Sequence, residues 1–184
     1  INPAYAVILL EWFFPRYYNV VWIDYSDGTY ENAFASTDGG AGLAQLFSPV
    51  SENAILKKIR YFNNGFEQYQ QTEEVWILSG DGESVLGGPY YIEDAPADDW
   101  ISFYIEPITL NNESFMIATF NTDPGGPYVG ADGTNYNENL YFGSIGNFTE
   151  LGEYGYYYVG SHAAGFSTYN GKDADSDEIV FIDP

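Results

Sequence analysis

Acidic side chains are the residues of this sequence whose types and spacing could do chemistry, because many fall in turns rich in Gly and Asn. Hard cations such as Ca²⁺ take about six to eight oxygen ligands from carboxylates, amide side chains and turn carbonyls. We therefore expect calcium at one or more acidic turns, although such side chains also cap turns without any ion. The candidate ligands are Asp24, Asp27 and Glu31 in one turn, Asp81 and Glu83 in a second, and Asp123, Asp132, Asn135, Asn137 and Glu138 in a long loop.

A further acidic run near the end of the chain is similar to the first half of an EF-hand loop, with Asp173, Asp175 and Asp177 at alternate positions. The second half departs from that pattern. Glu178 stands where the sharp turn needs glycine, and Pro184 stands where the bidentate glutamate belongs. The run predicts a weak surface ion site or a solvated acidic loop.

Catalytic and zinc chemistry are disfavoured by the residue counts. His162 is the one histidine and there is no cysteine, so zinc would have a single nitrogen ligand. A catalytic triad would pair His162 with its neighbour Ser161, but adjacent strand residues point to opposite faces. A glycosidase pair of carboxylates carries almost no weight, because 27 acidic residues always supply some pair. We expect no enzyme.

The charge balance restricts the partners. The 184 residues include 27 acidic and 5 basic side chains, which gives a net charge of −22. This field repels nucleic acid and anionic lipid and favours divalent cations, and it also suits the solvated surface of a protein from a salty habitat. An aromatic content of 19% predicts a folded chain. The apolar run at 4–14 is too short to span a membrane.

The elements that must position these residues are strands. Apolar or alternating segments lie between Gly, Pro, Asn and Asp clusters at a spacing of about ten residues, which is typical of an all-β antiparallel β-sandwich or jelly roll. We expect an apolar N-terminal strand or extension over 1–17 and a single sandwich domain over 18–184. The predicted strands are 4–14, 18–24, 42–47, 55–63, 73–79, 90–93, 100–105, 114–121, 140–142, 154–160 and 178–182.

The N-terminal segment is apolar on both strand faces, so it needs cover on both sides. It can be a central strand of its own sandwich, or it can be donated to an open sheet edge of a neighbouring subunit. The residues that would carry such assembly are Val7, Ile8, Leu9, Leu10, Trp12, Phe13 and Phe14.

Aromatic rings are the other candidate binding groups, because flat rings stack on sugar faces. In a sandwich, however, we expect Trp76 and Trp100 to fill the core between the sheets and alternating tyrosines to cover a half-exposed face. The rings concerned are Trp12, Trp22, Trp76, Trp100, Tyr154, Tyr156, Tyr157 and Tyr158.

Three stretches, at 23–34, 44–49 and 55–62, resemble the opening of β-sandwich modules attached to secreted bacterial and archaeal proteins. They read IDYSDGTYENAF, AQLFSP and ILKKIRYF. Val75-Trp76-Ile77-Leu78, Asp99-Trp100, Phe115-Met116-Ile117 and the segment 126–132 are similar to the later strands of those modules. The resemblance spans residues 23–166 and implies a β-sandwich in an extracellular setting that accompanies other domains without catalysis of its own.

A sandwich with an apolar terminal strand is also similar in layout to prokaryotic extracellular filament subunits, such as archaeal cannula or biofilm-fibre proteins. We therefore expect a mature exported protein at the cell surface, assembled with itself by strand donation and stabilised by calcium. The alternative is a non-catalytic module that binds carbohydrate or a surface protein.

Overall fold

The computed structural model describes residues 20–34, 36, 39–48, 54–64, 73–93, 95–122, 129–134, 139–156 and 159–167. Its strands are β1 Val20–Asp24, β2 Asn32–Phe34, β3 Gly42–Phe47, β4 Ile55–Asn63, β5 Glu73–Ser79, β6 Val85–Ile92, β7 Asp99–Thr109, β8 Phe115–Asn121, β9 Val129–Asp132, β10 Leu140–Ser144, β11 Asn147–Glu150, β12 Val159–Gly160 and β13 Ala163–Ser167. One 3-10 helix covers Leu151–Tyr154. Among these residues no helix is long and apolar enough to cross a membrane.

The strands form two antiparallel sheets. In the first sheet β1, β13, β4, β9 and β12 follow one another, β7 pairs with β4, and β2 pairs with β9. The second sheet has the order β11-β10-β3-β8-β5-β6. The predicted all-β sandwich is therefore confirmed. The proposed donor segment 4–14 and the predicted strand 178–182 lie outside the described residues.

The main core lies between the sheets and follows from the period-two alternation of strand side chains. On β4, Leu56, Ile59 and Tyr61 are buried, while the residues between them are partly exposed. Stacked rings of Phe47 and Phe115 continue into an edge-on contact with Phe166 of the other sheet. Removing such side chains from water holds the two sheets together.

A second cluster lies on the far face of the second sheet. All seven residues of β8 are buried, and they alternate between the main core and this cluster. Met116, Ala118 and Phe120 form this cluster with Leu78, and Trp76 packs against it. β8 is therefore buried on both faces, which explains why its sequence does not alternate between apolar and charged residues.

The predicted strand 154–160 is wrong at its first three residues. Tyr154 ends the 3-10 helix, Gly155 follows with φ of 80°, and β12 covers Val159–Gly160. A positive φ suits glycine, which has no Cβ to clash with the backbone. The aromatic residues around Gly155 had suggested a strand at a position where the chain forms a turn.

Candidate functional site

Three of the predicted ligands, Asp27, Glu31 and Asp132, meet beside the ends of β1 and β9; we call them the acidic loop cluster. The Asp27 amide donates to Asp132 Oδ2 at 2.9 Å. The Gly133 amide donates to Glu31 Oε2 at 3.0 Å. These bonds join two turns that are more than 100 residues apart in the chain.

Two threonine hydroxyls separate the negative charges of the acidic loop cluster. Thr29 Oγ1 lies 2.7 Å from Asp27 Oδ1 and 2.6 Å from Glu31 Oε1. Thr134 Oγ1 lies 2.9 Å from Asp27 Oδ2 and 2.8 Å from Asp132 Oδ1. The hydrogen bond from the Thr29 side chain is the main cause that lowers the pKa of Asp27 and of Glu31. Both carboxylates are therefore ionised at neutral pH.

All six carboxylate oxygens of the acidic loop cluster have an N–H or O–H group within hydrogen-bond distance. A cation would have to use their remaining lone pairs. In the described part of the chain, no group of three or more His, Cys, Asp or Glu side chains is arranged to hold a metal ion. The cluster as it stands closes two turns, and calcium stays a prediction.

Two other predicted ligands in the described part of the chain, Asp24 and Asp81, bind different partners. Asp24 accepts from Ser26 through Oδ1 and pairs with Arg60 Nη2 at 3.0 Å through Oδ2. Asp81 closes the turn between β5 and β6 by accepting from the Ser79 hydroxyl and the Glu83 amide. Outside the described residues lie Asp123, Asn135, Asn137, Glu138, Asp173, Asp175 and Asp177, together with the assembly residues Val7, Ile8, Leu9, Leu10, Trp12, Phe13 and Phe14.

The outer face of the first sheet carries an array of rings and cations that we call the aromatic–basic face: Trp22, Lys58, Arg60, Trp100 and Tyr104. Strand register brings them together. Trp22 pairs with Gly165, Gly165 with Lys58, and Lys58 with Tyr104, so one row crosses four strands. Arg60 lies two residues further along β4.

The five side chains of the aromatic–basic face alternate ring and cation. Lys58 Nζ lies 5.0 Å from the Tyr104 ring centroid and 5.6 Å from the Trp22 ring. The Arg60 guanidinium carbon lies 4.8 Å from the Trp22 ring and 4.2 Å from the Trp100 ring. Cations this close to ring faces are attracted by the ring quadrupole. Each of these interactions contributes about 0.5–1 kcal/mol where it is exposed.

Small residues on β13 leave room for this array. Gly165 lies between Trp22 and Lys58 in one row, and Ala163 lies between Asp24 and Arg60 in the next. With no long side chain on β13 at these positions, Trp22 of β1 reaches the cations of β4. The sequence does not reveal this face as a unit, because the face depends on the pairing order of four strands.

The expectation that Trp76 and Trp100 fill the core between the sheets is wrong. Trp100 pairs with Phe62 on the outer face of the first sheet, next to buried Ile101. Trp76 lies between buried Val75 and Ile77 and packs on the far face of the second sheet. Both rings are half-buried because they follow the alternation of their strands.

Burial shifts the pKa values of Glu73 and His162 strongly. Glu73 accepts a hydrogen bond from the Tyr61 hydroxyl through Oε2, and its Oε1 has no hydrogen-bond partner among the described residues. Burial raises the pKa of Glu73 to about 8. His162 Nε2 lies 2.9 Å from Thr119 Oγ1, and burial lowers the pKa of His162 to about 3. Both groups are therefore neutral at pH 7.

Ser161 and His162 engage different partners. The Ser161 hydroxyl accepts from the Phe62 amide at 3.1 Å and donates to the Phe62 carbonyl at 3.2 Å. His162 instead contacts Thr119 of the opposite sheet. The Ser161 side chain thus bonds to the backbone of β4, whereas the His162 side chain contacts the other sheet.

The described residues define an all-β sandwich with an acidic loop cluster and an aromatic–basic face. No model of a known protein family matches the chain. No curated protein matches it either. The resemblance to sandwich modules of secreted proteins therefore stays a prediction.

Proposed function

We propose that this chain is a non-enzymatic subunit of an extracellular filament or tube, in which residues 4–14 of one copy add a strand to a sheet of the next copy. The observation that carries the proposal is the edge of β1, which among the described residues pairs with β13 alone. A sheet edge has unpaired N–H and C=O groups, and proteins protect such edges with short strands, proline or charge.

Edge strands of this sandwich differ in that protection. Among the described residues β2, β11 and β12 each pair with one strand, and they are three, four and two residues long. The edge strands β6 and β7 contain Pro89 and Pro107. β1 has five residues, no proline and a single charge, Asp24, at its end. Of these edges, β1 offers the least resistance to an added strand.

The apolar segment 4–14 has the composition that such an edge would take. A strand that pairs with β1 and covers the end of the sandwich gains backbone hydrogen bonds and buries apolar side chains together. The competing arrangement is a hairpin in which the segment pairs with β1 of its own copy. That arrangement gives a monomer, so the oligomeric state distinguishes the two.

Charge provides the proposed role for calcium. Copies that each carry −22 repel one another at close range. Divalent cations bound at acidic loops near the contacts would lower this repulsion. We therefore propose that assembly depends on calcium and weakens after chelation.

The experiment is light scattering on the full chain and on Leu9→Lys, with Ser84→Lys as the matched control. Ser84 lies in the exposed turn between β5 and β6, so its substitution changes the net charge equally without touching residues 4–14. We expect polymers for the wild type and Ser84→Lys, and a monomer for Leu9→Lys that binds a synthetic peptide of residues 4–14. Polymers of Leu9→Lys, or a monomeric wild type at every concentration, would refute strand donation.

A second candidate function is that of a binding module for carbohydrate or a surface protein, and the aromatic–basic face favours it. Tyr104 on this face is 73% exposed, which is high for a large ring. A screen of the full chain against immobilised glycans tests this function. A screen without hits would count against carbohydrate as the ligand.

A further inference from the structure

We propose that the aromatic–basic face binds a polysaccharide that carries carboxylate groups. This inference deepens the second candidate function and is independent of strand donation, because the face requires no residue of segment 4–14. It names the chemistry of the ligand.

The exposure and spacing of the rings suit a sugar chain. The row of Trp22, Gly165, Lys58 and Tyr104 crosses four paired strands, so neighbouring positions are about 5 Å apart. Tyr104 is largely exposed at one end of this row, and Trp22 is half-buried at the other. Rings at both ends of this row can contact successive units of an extended polymer.

Local charge points to an anionic group on that polymer. Lys58 and Arg60 are two of the five basic residues of the chain. Arg60 is already paired with Asp24 at 3.0 Å. Lys58 contacts two rings, and among the described residues it forms no ion pair. Its ammonium therefore keeps N–H donors for a ligand carboxylate, which forms stronger hydrogen bonds than a neutral hydroxyl.

The strongly acidic remainder of the protein does not prevent this. At about 0.15 M salt the Debye length is about 8 Å, so distant carboxylates are screened while a carboxylate in contact with Lys58 is not. We expect binding at this ionic strength and weaker binding at very low salt. Simple ion exchange behaves in the opposite way, since low salt strengthens it.

The test is affinity electrophoresis of the full chain in gels that contain polygalacturonate or its fully methyl-esterified form. The two polymers share rings and linkage and differ in the carboxylate. Chelator in the gel removes metal bridging. We expect the wild type to bind polygalacturonate about tenfold more tightly than the ester, as one charge-assisted hydrogen bond would give.

Two variants locate the effect. Lys58→Gln should remove the preference for polygalacturonate and leave binding to the ester unchanged. Tyr104→Ala should weaken binding to both polymers by about tenfold through loss of ring contact. Both side chains lie on the surface, so neither change opens a cavity.

Matched controls lie on the other sheet. Asn147→Asp, at the exposed first residue of β11, changes the net charge as Lys58→Gln does, and Tyr91→Ala removes a ring that is 60% exposed on β6. Both should bind like the wild type. Equal affinity of the wild type for the two polymers would overturn the carboxylate inference while leaving carbohydrate binding in place. No binding to either polymer, or equal losses in variants and controls, would overturn the site itself.

Discussion

Glu73→Gln should change the pH dependence of stability in a way that tests the buried carboxyl of β5. Glu73 is fully buried, and burial raises its pKa to about 8 from the ordinary value of 4.5. The folded chain therefore keeps the Glu73 proton at pH values where the unfolded chain has lost it. Stability from this group is complete below about pH 4.5 and is lost as the pH rises to about 8.

The size of the effect follows from the pKa difference. Each pKa unit corresponds to about 1.36 kcal/mol, so the rise from pH 5 to about 8 lowers the free energy of unfolding by about 4 kcal/mol. Glutamine has no proton to lose, but its amide group enters a site where Glu73 Oε1 has no partner among the described residues. We expect the variant to be about 1 kcal/mol less stable than the wild type at pH 5 and about 3 kcal/mol more stable at pH 9.

Urea unfolding of both proteins at pH 5, 7 and 9 measures this difference. Groups that titrate equally in both proteins cancel in the comparison. Glu74→Gln controls for the loss of one acidic residue from the same strand; Glu74 is half-buried and lies 3.2 Å from Trp76 Nε1. A difference between wild type and Glu73→Gln that stays constant from pH 5 to 9 would refute a protonated Glu73 in the folded state.

Three further predictions concern other buried, polar and glycine positions. Burial keeps His162 neutral in the folded chain, so the contribution of His162 to stability falls as the pH drops from about 6.5 to 3. In urea unfolding, the stability deficit of His162→Gln relative to the wild type should therefore be smaller at low pH than at neutral pH; a deficit that stays constant would argue against this. Thr29→Val should raise the pKa of Asp27 toward its ordinary value in an NMR titration, and an unchanged pKa would contradict the assigned cause. Gly42→Ala should destabilise by about 3 kcal/mol or more in urea, because a Cβ there overlaps a backbone carbonyl of β8. A Cβ at Gly146 would meet no atom within 4 Å, but the φ of Gly146 is 75°, so Gly146→Ala should lower the free energy of unfolding by about 1 kcal/mol. Equal losses of stability in Gly42→Ala and Gly146→Ala would mean that the structure relaxes around the overlap at Gly42.

Strands could be predicted from the sequence where several successive residues alternate between apolar and polar or form an apolar run. The strands at 42–47, 55–63 and 73–79 have the predicted bounds. β6 begins at Val85, earlier than the sequence predicted. Gly87, Gly88 and Pro89 are residue types typical of a turn, but in the structure they form part of an irregular edge strand. Short strands such as β2 and β9 have too few residues to show a period.

The candidate sites depend on contacts between distant parts of the chain, which the sequence pattern does not reveal. Asp27 and Asp132 were both predicted as ligands, but nothing in the sequence shows that their turns join. The aromatic–basic face depends in the same way on strand order, which is a long-range property. Glu73 could have been recognised as buried, since it alternates with Val75 and Ile77 on the core side of β5.

The solution mass of the full chain, measured by light scattering over a range of concentrations in calcium and again in chelator, tests the proposed assembly most directly. If strand donation assembles the chain, its mass in calcium is well above that of one chain. This mass falls after chelation. A mass of one chain at every concentration in both buffers would contradict assembly by strand donation.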